Sequence, residues 1–235
     1  RHRPPDTAIL IYVRILFTEM RTILADSAMD LIKGKRYLRD EDAFRLLGIY
    51  GISVPPWAVV EDLEPAKLEA ERIGFPLVMK VSPDEPTHKT DIGGVRLNVG
   101  RGDLGEHFAE LSRISKKILL QHQLSGAEVF VGGIRDRAFG PAVLVGLGGI
   151  YVEVFRSISY GLAPVSEQDA LEMMSESRVM DILAARKRKY DVEATARTIV
   201  NISRMMMDLP IKELDINRLI VNENGAFAAD ARIVL

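Results

Sequence analysis

The chain has 235 residues, 47% of them hydrophobic and 27% charged, with a formal net charge of −2. These are ordinary globular values, sufficient for one large core or two small ones, and they argue against extended disorder and a general nucleic-acid footprint. With no cysteine there is no disulfide framework, no thiolate nucleophile and no Cys-ligated zinc, which fits a cytoplasmic protein.

The N-terminal RHRPPDTAILIYVRILFTEM carries basic residues before an apolar run, in the manner of a signal peptide. Arg14 interrupts the run, which is too short to span a bilayer. An extra helix or strand packed on the main body is the expectation. Asp40 is placed to cap a helix through EDAFRLLGIY, ended by Gly51, and ISVPPWAVV reads as a turn into a strand. Asp62 and Pro65 open a second helix, PAKLEAERI, which Gly74 stops before the strand PLVMKV. GVRLNV follows as a strand of alternating apolar and polar residues, then a helix from about Asp103 to Lys116 and the strand ILLQH.

The second half opens with two strand-like runs, AEVFVGGIRD and PAVLVGLGG, separated by a charged turn containing Asp136. Further strand signals in YVEVF and ISYGLAP precede a helix at Ser166, where Ser166 and Asp169 have capping-box spacing with Asp in place of Glu or Gln. A longer helix, Val192 to Asp208, aligns Ile199, Ile202, Met205 and Met206 as a core stripe. The terminal IKELDINRLIVNENGAFAADARIVL reads as a hairpin. Helices and strands mix without strict βαβ alternation, so the chain is expected to be α+β.

Several stretches carry chemistry. HKTDIGGV sets His88, Lys89 and Asp91 before two glycines on a loop, either as a solvated charged turn or as a reactive site. Lys80 ends an apolar strand, where its ammonium can reach a phosphate or simply snorkel. GLGGIYVE holds Gly148 and Gly149, which permit backbone approach to an anion or make a tight turn, without a Walker or GxGxxG pattern. In the terminal hairpin, pairing of Asn222 with Gly225 puts Asn217 directly opposite Asp230, whereas a turn at Asn224-Gly225 makes them diagonal. Both registers put the two on one face, shared by Asp215. An amide oxygen and a carboxylate so placed suit Mg²⁺; the alternative is a polar, solvent-facing strand side.

Taken in order, GISVP, FPLVMKVSP, HKTDIGGVRLNV, GAEVFVGGIRDRAFGPAVLVGLGGIYVEVF, LAPVSEQDA and IKELDIN resemble the ATP-grasp subunit or domain of ADP-forming acetyl-CoA (acyl-CoA) synthetases, from about residue 36 to the C-terminus. The resemblance implies an ATP-grasp fold of two α+β subdomains with the nucleotide between them: residues 36–120 with the histidine loop and 121–235 with the hairpin, after an extension at 1–35. It implies that Lys80 contacts ATP phosphates, that Glu128 holds the ribose, that Asn217 and Asp230 bind Mg²⁺, and that His88 carries a phosphoryl group. A neutral imidazole is a reasonable carrier at pH 7, and Lys89 favours that neutral form.

The implied activity is reversible coupling of acyl-CoA cleavage to ATP formation. It would be shared with a CoA-binding alpha subunit in a hetero-oligomer, with no nucleic acid or membrane partner. Two alternatives are a nucleotide-sensing module without turnover and a succinyl-CoA synthetase-like ligase subunit. The chain departs from the family pattern at several places. His122 stands where an acidic hinge residue is common, and Gly161 replaces an arginine. RKRKYD replaces an Arg-Gly turn, and Arg218 replaces the proline after DIN.

Overall fold

A computed structural model of the chain describes residues 23–83, 89, 92–148, 157–185 and 189–235. Two antiparallel sheets organise it, each with helices on one face. The first has strand order β1-β4-β2-β3, from β1 (Trp57–Val60), β2 (Leu77–Val81), β3 (Val95–Val99) and β4 (Ile118–His122). The second runs β10-β8-β5-β6-β7, from β5 (Ala127–Asp136), β6 (Gly140–Leu147), β7 (Ile158–Leu162), β8 (Glu213–Asn222) and β10 (Arg232–Val234). The short β9 (Gly225–Ala228) pairs with β8 beyond the hairpin turn.

Strand alternation divides the first sheet between two environments. Leu77, Met79 and Val81 of β2, with Ile118 and Leu120 of β4, pack against α3 (Leu63–Ile73) and α4 (Leu104–Ser112) through Ala66, Ala70, Ile73, Phe108 and Leu111. The residues between them point the other way, so Leu119 joins the larger core and Lys80 faces the second sheet.

The larger core lies under β5 and β6, where Val129, Val131, Val143 and Val145 meet α7 (Val192–Asp208) and α5 (Glu167–Glu176). The helical spacing of Ile199, Ile202, Met205 and Met206 buries all four completely, as a packing stripe. The short α6 (Val179–Leu183) adds Val179 and Leu183. Helix α1 (residues 23–32) supplies Ala28 and Ile32, so this end of the N-terminal segment packs on the body. Helix α2 (Asp40–Ile49) also contributes to this core, through Phe44, Leu46 and Leu47, although in sequence it lies ahead of the first sheet.

The Ser166–Asp169 capping box forms with the shorter acid: Asp169 accepts from the Ser166 N–H, and Ser166 accepts from the Asp169 N–H. Two expectations change. Asp40 is the first residue of α2, not its cap; Arg39 takes the cap position with no side-chain hydrogen bond to the helix N-terminus, and the Asp40 carboxylate is used elsewhere. The alternation expected through GVRLNV breaks at Leu97 and Asn98, which sit in a bulge where the pairing with β2 shifts register. Asn98 adopts φ 55°, a conformation asparagine tolerates, and a reciprocal pair of amide hydrogen bonds with Gln123 holds it. Segment YVEVF and the Arg186–Arg188 part of RKRKYD lie outside the described residues.

Gly126 begins the GAEVFVG stretch where the chain enters the second sheet. A Cβ there would lie 2.2 Å from the Val221 carbonyl oxygen, so only glycine lets the two backbones approach. Gly126→Ala is therefore expected to destabilise the fold by about 1–3 kcal/mol, because backbone must shift to admit one methyl. The lowered urea midpoint measures the loss, and an unchanged midpoint would show that the strand entry yields freely.

Candidate active site between the two sheets

Lys80 is 2% exposed, yet its ammonium is not isolated. It donates to the Ala229 carbonyl at 2.7 Å and to Gln121 Oε1 at 3.2 Å, and lies 3.8 Å from Asp230 Oδ2. Thus a strand-end lysine of the first sheet meets the return segment of the terminal hairpin. Gln121 is there because it alternates with Leu119 on the Lys80 face of β4, a relation that the period of ILLQH contains.

The hairpin adopts the first of the two registers. Asn222 pairs with Gly225 and Leu219 with Ala228, and the same count resumes at Asp215–Arg232 after a break in the return strand. The Ala229 N–H donates to the Arg218 carbonyl across that break, so Asn217 stands opposite Asp230. Asn217 is exposed and the Asp230 side chain is 39% exposed, so both can be reached from solvent. Asp215 shares their strand face but is engaged by Arg232 at 3.8 Å. Burial pushes its carboxyl up, with Glu213 adding to the rise and Arg232 opposing it.

Cations surround Asp230. Lys80 faces one carboxylate oxygen and Lys89 the other at 3.9 Å, while Lys89 is also anchored to Asp40 at 2.5 Å. Burial opposes ionisation of Asp230, but the charges of Lys80, Lys89 and Arg218, with the Ala231 N–H, outweigh it and hold the carboxyl below its usual range. For Lys80 burial prevails and lowers the ammonium's pKa; Asp230 opposes that, and Lys89 reinforces it.

Glu128 leaves the same sheet face on β5. Its Oε1 lies 3.6 Å from Arg218 Nη1, and its carbonyl accepts the Gly148 N–H at 2.9 Å. A Cβ on Gly148 would come within 2.8 Å of Glu128 backbone, so glycine serves a close approach of chain to chain, and this N–H is already engaged. His88 and Gly149 lie outside the described residues. Of the departures from the family pattern, His122 Nδ1 contacts the Gly74 carbonyl at 2.8 Å, away from the Lys80 face. At Gly161, a Cβ would meet Met173 Sδ at 2.7 Å.

Lys80 and Asp230 therefore meet with Asn217 opposite Asp230, and Glu128 joins them through Arg218; Lys89, Asp40, Gln121 and Arg218 enter the group without having been singled out as binding groups from the sequence. Among the described residues no cluster of three or more His, Cys, Asp or Glu side chains can hold a metal by itself. One ionised carboxylate and one amide oxygen instead fit an ion that keeps water ligands and shares phosphate oxygens, as Mg²⁺ does with nucleotides. No described helix is long and apolar enough to cross a membrane.

Residues 30–235 match the family model for the ATP-grasp domain. The beta subunit of acetate–CoA ligase [ADP-forming] I from Pyrococcus furiosus is 37% identical over 214 residues, covering 85% of this chain and 92% of that subunit. Among solved structures, the dinucleotide-forming acetyl-coenzyme A synthetase 1 of Ca. Korarchaeum cryptofilum, in complex with coenzyme A and Ca-AMPCP, superposes with a TM-score of 0.83 at 32% identity, covering 88% of this chain and 99% of the other. A further structure of that synthetase, with coenzyme A and Mg-AMPPCP and its phosphohistidine segment pointing towards the nucleotide binding site, gives a TM-score of 0.78 at 32% identity with the same coverage.

Proposed function

Because this chain belongs to the ATP-grasp family, among the nucleotide-binding subunits of ADP-forming acetyl-CoA synthetases, we propose that it binds ADP or ATP in the cleft between its two sheets. There it passes a phosphoryl group between nucleotide and acyl phosphate. The observation that carries this reading is the meeting of Lys80 with Asp230, 150 positions apart, in a cleft that also collects Asn217 and Glu128.

Each residue has a defined task. Lys80, a compact charge held by Ala229 and Gln121, is the residue that would contact the nucleotide phosphates. Asn217 and Asp230 would hold Mg²⁺, which would supply charge neutralisation at the phosphate oxygens. Glu128 accepts from the ribose hydroxyls. His88 serves in a relay of histidines that begins at the partner's acyl phosphate: its imidazole nitrogen takes the phosphoryl group as the P–N bond to the preceding histidine breaks, and the terminal phosphate oxygen of ADP then takes it as the bond to His88 breaks. Acyl-CoA phosphorolysis belongs to a CoA-binding partner subunit, in keeping with the beta-subunit name of the Pyrococcus relative. Completing the cycle requires both chains in one cytoplasmic hetero-oligomer.

Replacing both Asn217 and Asp230 by alanine is expected to remove the Mg²⁺ dependence of ADP binding and weaken binding in Mg²⁺ by about tenfold or more. Calorimetric titration of the folded double variant checks this. Unchanged Mg²⁺ dependence would take the hairpin out of the site.

A further inference from the structure

Arg218 sits where the family resemblance leads one to expect proline, and the fold gives the exchange a consequence. Val129 pairs with Leu219 and Val131 with Ile216, so the two residues Asn217 and Arg218 together oppose the single residue Phe130. This is a β-bulge with its extra residue on β8. In a regular strand Arg218 would follow Ile216 into the core; the bulge keeps Asn217 and Arg218 both on the cleft side, and Leu219 takes up the core position. Bulges are among the few strand positions that admit proline, so arginine here adds a charge without requiring another register.

That charge lies beside Lys80. The Arg218 carbonyl accepts from the Ala229 N–H at 2.9 Å, and the Ala229 carbonyl accepts from Lys80 Nζ at 2.7 Å, so a single residue, Ala229, links the two cationic residues. Its guanidinium reaches Glu128 at 3.6 Å, with both side chains more than one-third exposed. An ion pair so open to solvent contributes little and is readily exchanged. A phosphate offers the same guanidinium shorter, bidentate, charge-assisted bonds.

We infer that Arg218 is a nucleotide-phosphate-binding residue of this chain, its guanidinium exchanging the Glu128 carboxylate for a phosphate while that carboxylate turns to the ribose. The inference rests on the proposed nucleotide site and adds to it a third cation beside Lys80 and Lys89. It predicts discrimination by phosphate content: Arg218 strengthens binding of ADP but not of adenosine.

The test is titration of ADP with Mg²⁺, and competition by adenosine, on wild type, Arg218→Gln, Arg218→Lys and Glu128→Gln, with thermal melts to establish folding. Arg218→Gln should lose about ten- to a hundredfold in ADP affinity and change adenosine affinity by less than about twofold. Arg218→Lys should recover part of the ADP loss, and Glu128→Gln should weaken both ligands. Unchanged ADP affinity in Arg218→Gln, or an equal loss for ADP and adenosine, would overturn the inference while leaving the nucleotide site standing. Should Arg218→Gln fail to fold, Arg218→Lys binding ADP as tightly as wild type would overturn the bidentate contact. A wild-type chain that binds neither ligand would instead reject the nucleotide site itself, and this inference with it.

Discussion

His88→Ala should abolish phosphoryl transfer while leaving nucleotide binding in place. In the folded complex with a competent CoA-binding subunit, the wild-type chain should form an acid-labile, base-stable phosphoryl adduct with Mg²⁺-ATP, and ADP should discharge it. The variant should form none, and coupled acyl-CoA turnover should fall by roughly 10⁴-fold or more, because the described histidines, His107 beside Glu110 and His122 at the Gly74 carbonyl, are engaged away from Lys80 and cannot replace the lost nucleophile. ADP affinity should stay within about threefold of wild type, because the imidazole carries the group and does not grip the nucleotide. Labelling followed by peptide mapping decides the matter. An adduct that survives in His88→Ala, or coupled turnover at the wild-type rate, would overturn the relay.

Lys80→Met should separate binding from stability. The substitution keeps an apolar stem and removes an ammonium that makes charge-assisted contacts, so ADP affinity should drop by about ten- to a hundredfold. The fold should hold with an unchanged or higher melting midpoint. Burial lowers the Lys80 pKa, meaning that the folded state disfavours the charged form relative to water, although loss of the bonds to Ala229 and Gln121 offsets part of the gain. The sign also fixes a pH dependence. Between the lowered folded pKa and the ordinary value of 10.5 the unfolded chain binds more protons than the native one, so wild-type stability gains with rising pH from this group. The midpoint of Lys80→Met minus that of wild type should therefore fall as pH rises towards 10.5. Equal ADP affinity would reduce Lys80 to a structural role, and a difference that rises with pH would contradict the burial argument.

Much of this arrangement is visible before any fold is known, because it is local. The stripe of Ile199, Ile202, Met205 and Met206 needs only the helical period, and the Ser166–Asp169 cap needs only a three-residue spacing. The NENG turn carried Asn217 and Asp230 to one strand face in either register, since two-residue periodicity preserves the side even when the exact partner changes. The run of family-like segments pointed to an ATP-grasp fold, in agreement with the ATP-grasp match over residues 30–235.

Other features depended on contacts between distant segments. Asp40 reads as a helix cap by its position, yet an acid near a helix start also suits an ion pair, and only the tertiary contact with Lys89 selects that use. The bulges at Asn98 and Arg218 are likewise silent in a single strand: an extra residue exists only relative to the partner it faces. Alternation within the sequence determined which side chains share a face of each sheet. Tertiary structure alone decided that the Lys80 face of one sheet meets the Asp230 segment of the other and that Arg218 stays out of the core, because sheet-to-sheet placement is set by burying Leu119, Phe44 and the α7 stripe together in one core, a long-range condition that no local period records.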